Sequence, residues 1–519
     1  MGLQATSLAA GVGSSVKNVQ FQPTAENVPR KILIIGTYDP AKTGVVDEAP
    51  VRVLSPEDAG DQFGFGFMAH RLAEQAFQGS NGVGTWIQPQ AEAGGAVAAA
   101  GELDFTGTTG VVAGTLYLYI AGIQVPVTIA TGATIEDIAD AVVAAITADA
   151  SLPVTAAKVA VTFEVTITAK SKGPWGNDIS LDFNLGLNEA LPTGVTVAVT
   201  DMASGSGIPI IADALDALGT GDNANEEYFT DVVHGYGQDT TTLDAISTYV
   251  GAGNDFVGLY SKTVARPFRA LTGDVAVGSA ALTALIAISD TRKTDRANGI
   301  VSVPGSQSHP SEIAAQAIGH MARINNDRAA QSYIGVLLTG IWPGDTADRW
   351  TSDYDSRDTA VKSGVSPTLV QSSAVYMQNV VTFYRPDSVP VSSNGYRSMR
   401  NISILQNILY NIGLNFSQEK WQGISIVADT TRVGNTTDRQ KARDISSVKD
   451  DLVALALSFE GRAWIYEAAF TIEKLQEAGA VTIRAGNTGF DNVLSVILSG
   501  EGGTLDTVTE FDTSIAVLN

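Results

Sequence analysis

Cysteine is absent from the 519 residues. That excludes disulfide frameworks, thiolate nucleophiles and cysteine-built zinc sites. Histidine is scarce, with four in all: His70, His234, His309 and His320. No two of them have the i, i+4 helical spacing, with a glutamate, that a metal site of that kind needs. Positive charge is short too: 32 Lys and Arg against 55 Asp and Glu give a net charge of −23. Nucleic acid and anionic lipid would meet repulsion, so neither is an expected partner. No apolar run has the length of a membrane span. Met1 to Gln22 lacks the charged and apolar regions of a secretory signal, so the expected place of synthesis and initial residence is a cytoplasm. The sequons at Asn401, Asn415 and Asn435 then have no role.

Catalytic motifs are missing as well. Ser204-Gly205-Ser206-Gly207 is not a nucleophile elbow. Gly64-Phe65-Gly66 lacks the third glycine of a dinucleotide fingerprint, and no Gly-Lys-Ser/Thr phosphate loop occurs. Asp345–Asp358 lacks the glycine and closing glutamate of a calcium loop. Neighbouring acids such as Asp450-Asp451, or Asp353 and Asp355, are expected by chance in so acidic a chain. No catalytic residue, metal site or cofactor is expected.

What is present is a globular composition, 44% hydrophobic and 17% charged, in a chain long enough for two or three domains. Arg30-Lys31-Ile32-Leu33-Ile34-Ile35-Gly36 reads as a strand buried on both faces. Ser55-Pro56-Glu57-Asp58 reads as a capped helix start. Further β-rich runs begin at Asp231, Asp255, Gly299 and Tyr333, with helical patterns between them. One such pattern puts Ile313, Ala317, Ile318, Met321 and Ile324 on a stripe behind Pro310. Strands alternating with helices predict an α/β core with a largely parallel sheet.

Two small-residue linkers, Ala91–Gly101 and Asp201–Ile208, bracket a Thr- and Val-rich segment of different character. It reads as a hairpin turning at Ala121-Gly122, a helix capped by Thr134 with Asp137 at its third position, and strands over Val159–Ala169 and Asp178–Asn184. The expected division is an N-terminal arm (1–29), a core in two parts (30–90 and 209–400), an inserted α+β domain (91–208), a C-terminal domain (401–504) and a C-terminal arm (505–519). The C-terminal domain reads as helices around Ile402–Ile412 and Asp450–Phe459, then strands at Ala480–Arg484 and Val493–Leu498. The inserted domain is expected outermost.

The two ends are the most informative features. From Thr507 to Val517 the odd positions are β-branched or aromatic, while the even face carries Glu510, Asp512 and Ser514. Near the start, Val19 and Phe21 alternate with polar residues. A lone strand needs a neighbour for its backbone groups. Ordering an arm of about 20 residues costs roughly 20–40 kcal/mol of backbone entropy, so order is expected only on assembly. The predicted inter-subunit contacts are Val19, Phe21, Val508, Phe511, Ile515 and Val517. Local basic clusters sit in the second half, at Arg432, Arg439, Lys441, Arg443 and Lys449, and fit either an acidic partner or a solvated helix face.

Three segments carry a resemblance. They are Gly114–Gly122 through the capped helix to Lys172-Gly173-Pro174-Trp175-Gly176-Asn177-Asp178-Ile179, Gly299–Ile324, and Glu510-Phe511-Asp512-Thr513-Ser514-Ile515-Ala516-Val517. In these the chain resembles contractile tail sheath proteins of bacteriophages, closest to the Mu-like branch. Residues 340–400 fit less well. The resemblance implies a non-catalytic core of subtilisin-like topology, and His234-Gly235 indeed lacks an accompanying Gly-Thr-Ser segment. It implies hexameric rings stacked as a helix around a tail tube, with arms adding strands to neighbouring subunits. It also implies partners in the tube, baseplate and tail terminator proteins, and a place in the virion tail after assembly in the host cytoplasm. Arg439, Lys441, Arg443 and Lys449 are the candidate tube-facing residues. The rival readings are the sheath of a contractile injection or bacteriocin particle, an α/β hydrolase, and a surface-layer protein, which the missing signal disfavours.

Overall fold

The computed structural model describes residues 25–501, apart from 107–109, 220–226, 253–257, 262–264, 351 and 386–393. They form two compact units. The larger is built on Asn27–Tyr410 with Gly500 and Glu501, the smaller on Asn411–Ser499 with Ala25 and Glu26.

In the larger unit the first apolar run is β1 (Lys31–Thr37), buried from Ile32 onward. Then come β2 (Val51–Val53), α1 (Pro56–Phe63), α2 (Met68–Ser80) and β3 (Gly84–Gln90). Ser55 caps α1 by accepting the Asp58 N–H.

The chain next enters the bracketed segment: β4 (Ala100–Thr106), β5 (Gly114–Ile120), β6 (Ile123–Ile129), α3 (Ile135–Ala148), β7 (Val154–Lys158), β8 (Val165–Ala169), β9 (Leu181–Phe183) and β10 (Thr196–Ala203). Two sheets result, in the orders β10-β4-β8-β7 and β6-β5-β9. The β5–β6 turn holds Ala121 at φ 51° and Gly122 at φ 78°, the positive pair that a two-residue hairpin turn requires. Thr134 and Asp137 form the reciprocal capping box on α3. The stretches read as linkers are not free tethers, because Val97 and Ser206 exchange both backbone hydrogen bonds (2.8 and 3.0 Å).

The core resumes with α4 (Ile211–Ala217), β11 (Asp231–His234), α5 (Thr240–Val250), β12 (Arg269–Asp274), α6 (Gly278–Asp290), β13 (Asn298–Ser302), α7 (Pro310–Asp327), β14 (Leu337–Leu338), α8 (Tyr354–Lys362), β15 (Val365–Gln371) and β16 (Ala374–Met377). α9 (Met399–Ser417) follows. One nine-stranded sheet takes the order β14-β16-β15-β13-β12-β11-β1-β3-β2. Its run from β15 to β3 is parallel, and β2, β16 and β14 pair antiparallel at the edges. From β1 the chain steps one way, to β3; from β11 it steps the other way, to β12 and β13. Right-handed crossovers then put α2 and α5 on opposite faces.

Three strand expectations in the larger unit need correction. Of Val159–Ala169 only Val165–Ala169 is strand, after a turn at 160–162. Gly258–Ser261, within the run expected from Asp255, is a 3-10 turn. Of Tyr333–Leu338 only the last two residues are strand, after a turn at Gly335 with φ 79°. The single apolar stripe expected on α7 is also too narrow, since every residue from Pro310 to Ala322 is buried. α2 packs on α7 so closely that a Cβ on Gly79 would lie 2.4 Å from Gln316 O, and one on Gly319 2.4 Å from Ala76 O. Across that contact Arg71 grips Glu312 with two parallel hydrogen bonds of 2.8 Å, both side chains out of solvent.

The bracketed segment seats firmly on this core. Trp342 donates from Nε1 to Gly122 O (2.6 Å) and stands edge-on to Tyr119, with ring centroids 5.3 Å apart. His309 bonds Trp175 O through Nε2 (2.9 Å), and Ser180 donates to Gln307 O (2.8 Å). The loop around Trp342, which fits the resemblance less well, is therefore part of this seat.

The smaller unit contains β17 (Ser425–Ile426), α10 (Thr436–Lys441), β18 (Ala442–Arg443), α11 (Ile445–Gly461), α12 (Ala468–Gln476), β19 (Val481–Ile483) and β20 (Phe490–Asn492). Leu452, Leu455, Phe459, Trp464 and Leu475 are buried in its core. The strand expected over Val493–Leu498 is instead β20, a few residues earlier. Gly486 and Asn487, both at positive φ, turn the chain straight back after β19.

Candidate functional site

All six predicted arm contacts, Val19, Phe21, Val508, Phe511, Ile515 and Val517, lie outside the described residues. Both points where the arms leave the fold are described. At the N-terminal side, Ala25 donates its N–H to Ser458 Oγ (2.6 Å), and Glu26 donates its N–H to Asn411 Oδ1 (2.8 Å). At the C-terminal side, the Glu501 carboxylate accepts from the hydroxyls of Ser332 and Ser398.

The smaller unit offers a place for a strand. β19 and β20 pair antiparallel, Val481 with Asn492, Thr482 with Asp491 and Ile483 with Phe490. Among the described residues they form a sheet of two strands and no more. α11 packs against β19. Apolar side chains stand open to solvent in this unit, at Tyr466 (70% exposed) and Val493 (64% exposed). A two-stranded sheet is marginal in water and gains from a third.

Three of the basic residues bend onto backbone carbonyls, in two stretches of the chain. Arg439 donates to Val433 O (2.6 and 2.9 Å). Lys441 reaches Glu419 O and Gln422 O (3.1 and 3.3 Å). Arg443 donates to Lys420 O, Ala442 O and Gln440 O and lies 5.6 Å from the Trp421 ring centroid. Lys449 stands apart, half-buried on α11. Asp444, which caps α11, is pushed up by its burial. The N–H groups of Thr430 and Ser447 and the two hydroxyls outweigh that and hold its carboxyl down at about 2.

Ligands of open α/β sheets bind beyond the carboxyl ends of the strands where the winding reverses, here β1 and β11. That crevice is roofed by the Gly173–Asp178 turn, which leaves a cavity of about 270 Å³ lined by Met68, Trp175, Asp178, Tyr236 and Gln238 among others. Two of its polar side chains are engaged structurally, Tyr236 donating to Gln90 (2.7 Å) and Gln238 to Asp274 (3.1 Å), while Trp175 Nε1 is buried without a partner among the described residues. His234 accepts the Tyr236 N–H at Nδ1, His70 that of Gly66, and His309 that of Ser311. These three histidines thus fix local backbone, whereas His320 meets the Arg323 guanidinium through Nδ1 (3.3 Å). Among the described residues no cluster of three or more metal-ligating acidic or histidine side chains occurs.

No family model matches the chain. Over 425 residues, 81% of this chain and 80% of the relative, it is 26% identical to the Mu-like prophage FluMu tail sheath protein of Haemophilus influenzae. Among solved structures it is similar to a sheath tail protein from Desulfitobacterium hafniense, with a TM-score of 0.41 and 12% identity over 93% of this chain and all of that one. It is also similar to a chain of the anti-feeding prophage baseplate in its contracted state, with a TM-score of 0.44 and 11% identity over 98% of this chain and all of that one. The resemblance read from the sequence therefore stands: along four-fifths of its length this chain is similar to a Mu-like tail sheath protein.

Proposed function

We propose that the chain polymerises as stacked hexamers around a tail tube, and that contraction of the polymer drives the tube through a bacterial envelope. The observation that carries this reading is the β19–β20 pair, a sheet short of strands in a chain with a strand-patterned arm at each end. An arm from a neighbouring copy laid along either outer edge supplies backbone partners and covers apolar surface. Head-to-tail contacts of this kind that do not close on themselves generate a helix. The remainder of the proposal comes with the resemblance: a core of subtilisin-like topology without catalysis, baseplate and terminator proteins as end partners, and assembly in the host cytoplasm.

Removing residues 505–519 should leave a folded monomer that forms no tubes in negative-stain images. Tubes as long and frequent as those of the intact chain would overturn the arm reading. Arg439, Lys441, Arg443 and Lys449 are proposed to face the tube. Replacing all four by Gln should weaken assembly on tubes more than assembly of empty sheaths. Equal effects on both would remove them from that interface.

A further inference from the structure

The nine-stranded sheet ends at β14, and α7 meets its outer side. Leu337 stands opposite Tyr376, and the Met377 N–H donates to Val336 O (2.8 Å). Bonded and non-bonded pairs alternate along an antiparallel ladder, so the backbone groups of Leu337 and Thr339 point away from β16. For Thr339 the fold supplies partners: its carbonyl accepts from Gln316 Nε2 (2.7 Å) and Gln78 Nε2 (3.1 Å). The backbone of Leu337, a residue 39% exposed, has none on that side among the described residues. Two residues of strand span about 6.7 Å and one turn of helix about 5.4 Å. One turn beyond Gln316, His320 therefore comes level with Leu337, and both line a groove of about 450 Å³.

That groove is rich in donors. Arg323 meets His320 Nδ1 (3.3 Å). A guanidinium only donates, so Nδ1 accepts, and the neutral ring carries its proton on Nε2. Burial, reinforced by Arg323, keeps the ring neutral down to about 4. Nε2 is buried without a partner among the described residues, which is costly until an acceptor arrives. Arg323 and Arg328 are exposed, and neither has an acid within ion-pair distance among the described residues. Among those residues the lining holds both arginines and a single acid, Asp327. We propose that the groove takes an extended segment of a second copy of the chain. A carbonyl of that segment accepts the Leu337 N–H, and an Asp or Glu side chain beside it pairs with Arg323 and Arg328. This is strand addition at a sheet edge, with a charged side chain fixing the register. Charge selects the occupant. With 55 acidic residues and a net charge of −23, a second copy supplies carboxylates to a basic groove, whereas nucleic acid is repelled. The proposal rests on the reading that copies of the chain associate. It adds a contact on the larger unit, distinct from the β19–β20 pair.

Tube formation by the full-length chain, read by sedimentation, tests it. Arg323→Glu with Arg328→Glu should raise the concentration needed for tubes roughly tenfold or more, since like charges then face each other. Arg323→Lys with Arg328→Lys keeps the charge and should still form tubes. This second variant also reads the contact directly. A carbodiimide joins an amine to a carboxylate touching it, and mixing chains of two isotopic masses separates links between copies from links within one. Links from position 323 or 328 should join different copies. No link, or links only within one chain, would overturn the proposal, as would charge reversal that leaves tube formation unchanged. A chain that stays monomeric at every concentration would overturn the assembly reading and the groove's occupant together.

Discussion

All four histidines lie in the larger unit and all are buried; the smaller unit, Asn411–Ser499, has none. Burial, the largest influence, holds His70, His234 and His320 down at about 4. Arg71 and Lys170 push His70 further the same way, and Arg323 does so for His320. In the smaller unit Asp444 is held at about 2 by hydrogen bonds, and hydrogen bonds lower Asp429 and Asp491 as well. The histidine contribution is therefore confined to the larger unit, and acid should affect the two units differently.

The sign follows from linkage. Each of the three histidines titrates near 6.5 when unfolded and at about 4 when folded. These histidines thus stabilise the larger unit fully above pH 6.5, and that contribution, on the order of 3 kcal/mol per histidine, is lost as pH falls from 6.5 to 4. Asp295, raised by burial to about 6, works the other way below pH 6 and offsets part of the loss. Asp444 contributes to the smaller unit above its ordinary value of 3.8, and that contribution, roughly 2 kcal/mol, is lost only as pH falls toward 2. At pH 4 hydrogen exchange should find the larger unit open and α11 of the smaller unit still protected. Simultaneous loss in both units would break the comparison.

A smaller effect, confined to the larger unit, should follow Glu312→Ala. It leaves the Arg71 guanidinium buried with only Glu74, half-open to solvent, in contact. Breaking a buried pair in this way costs about 3–5 kcal/mol. Urea unfolding should show that loss for the larger unit with α11 protection unchanged. A loss below about 1 kcal/mol would mean that the pair does not hold α2 against α7.

Local features of this fold were legible where one short stretch determines them. Ser55, the Thr134–Asp137 box and the Ala121-Gly122 turn each satisfy backbone groups within a few residues, so their residue types announce them. The double burial of β1 was legible for the same reason, as an unbroken apolar run. Partners distant in sequence were not legible. Nothing near Arg71 points to Glu312, and nothing near Gly122 points to Trp342, since each contact exists only once the sheet has formed. α7 read as amphipathic because the partners of its buried polar face are distant: Glu312 takes Arg71 of α2, and Gln316 Nε2 donates to Gln75 of α2 and to Thr339 O. The basic cluster was visible as charge. That Arg439, Lys441 and Arg443 spend that charge on loop carbonyls was not, because side-chain direction depends on how the loop closes. Asn411 of α9 looks like an ordinary polar residue until the chain beside it is placed.

The most direct test of strand exchange reads the amides of Val481–Ile483 and Phe490–Asn492 by hydrogen exchange in the monomer and in assembled tubes. Amides on the outer edges of the β19–β20 pair should exchange freely in the monomer and become protected on assembly, and they should stay unprotected when residues 505–519 are removed. Tubes in which those edge amides exchange as fast as in the monomer would contradict it.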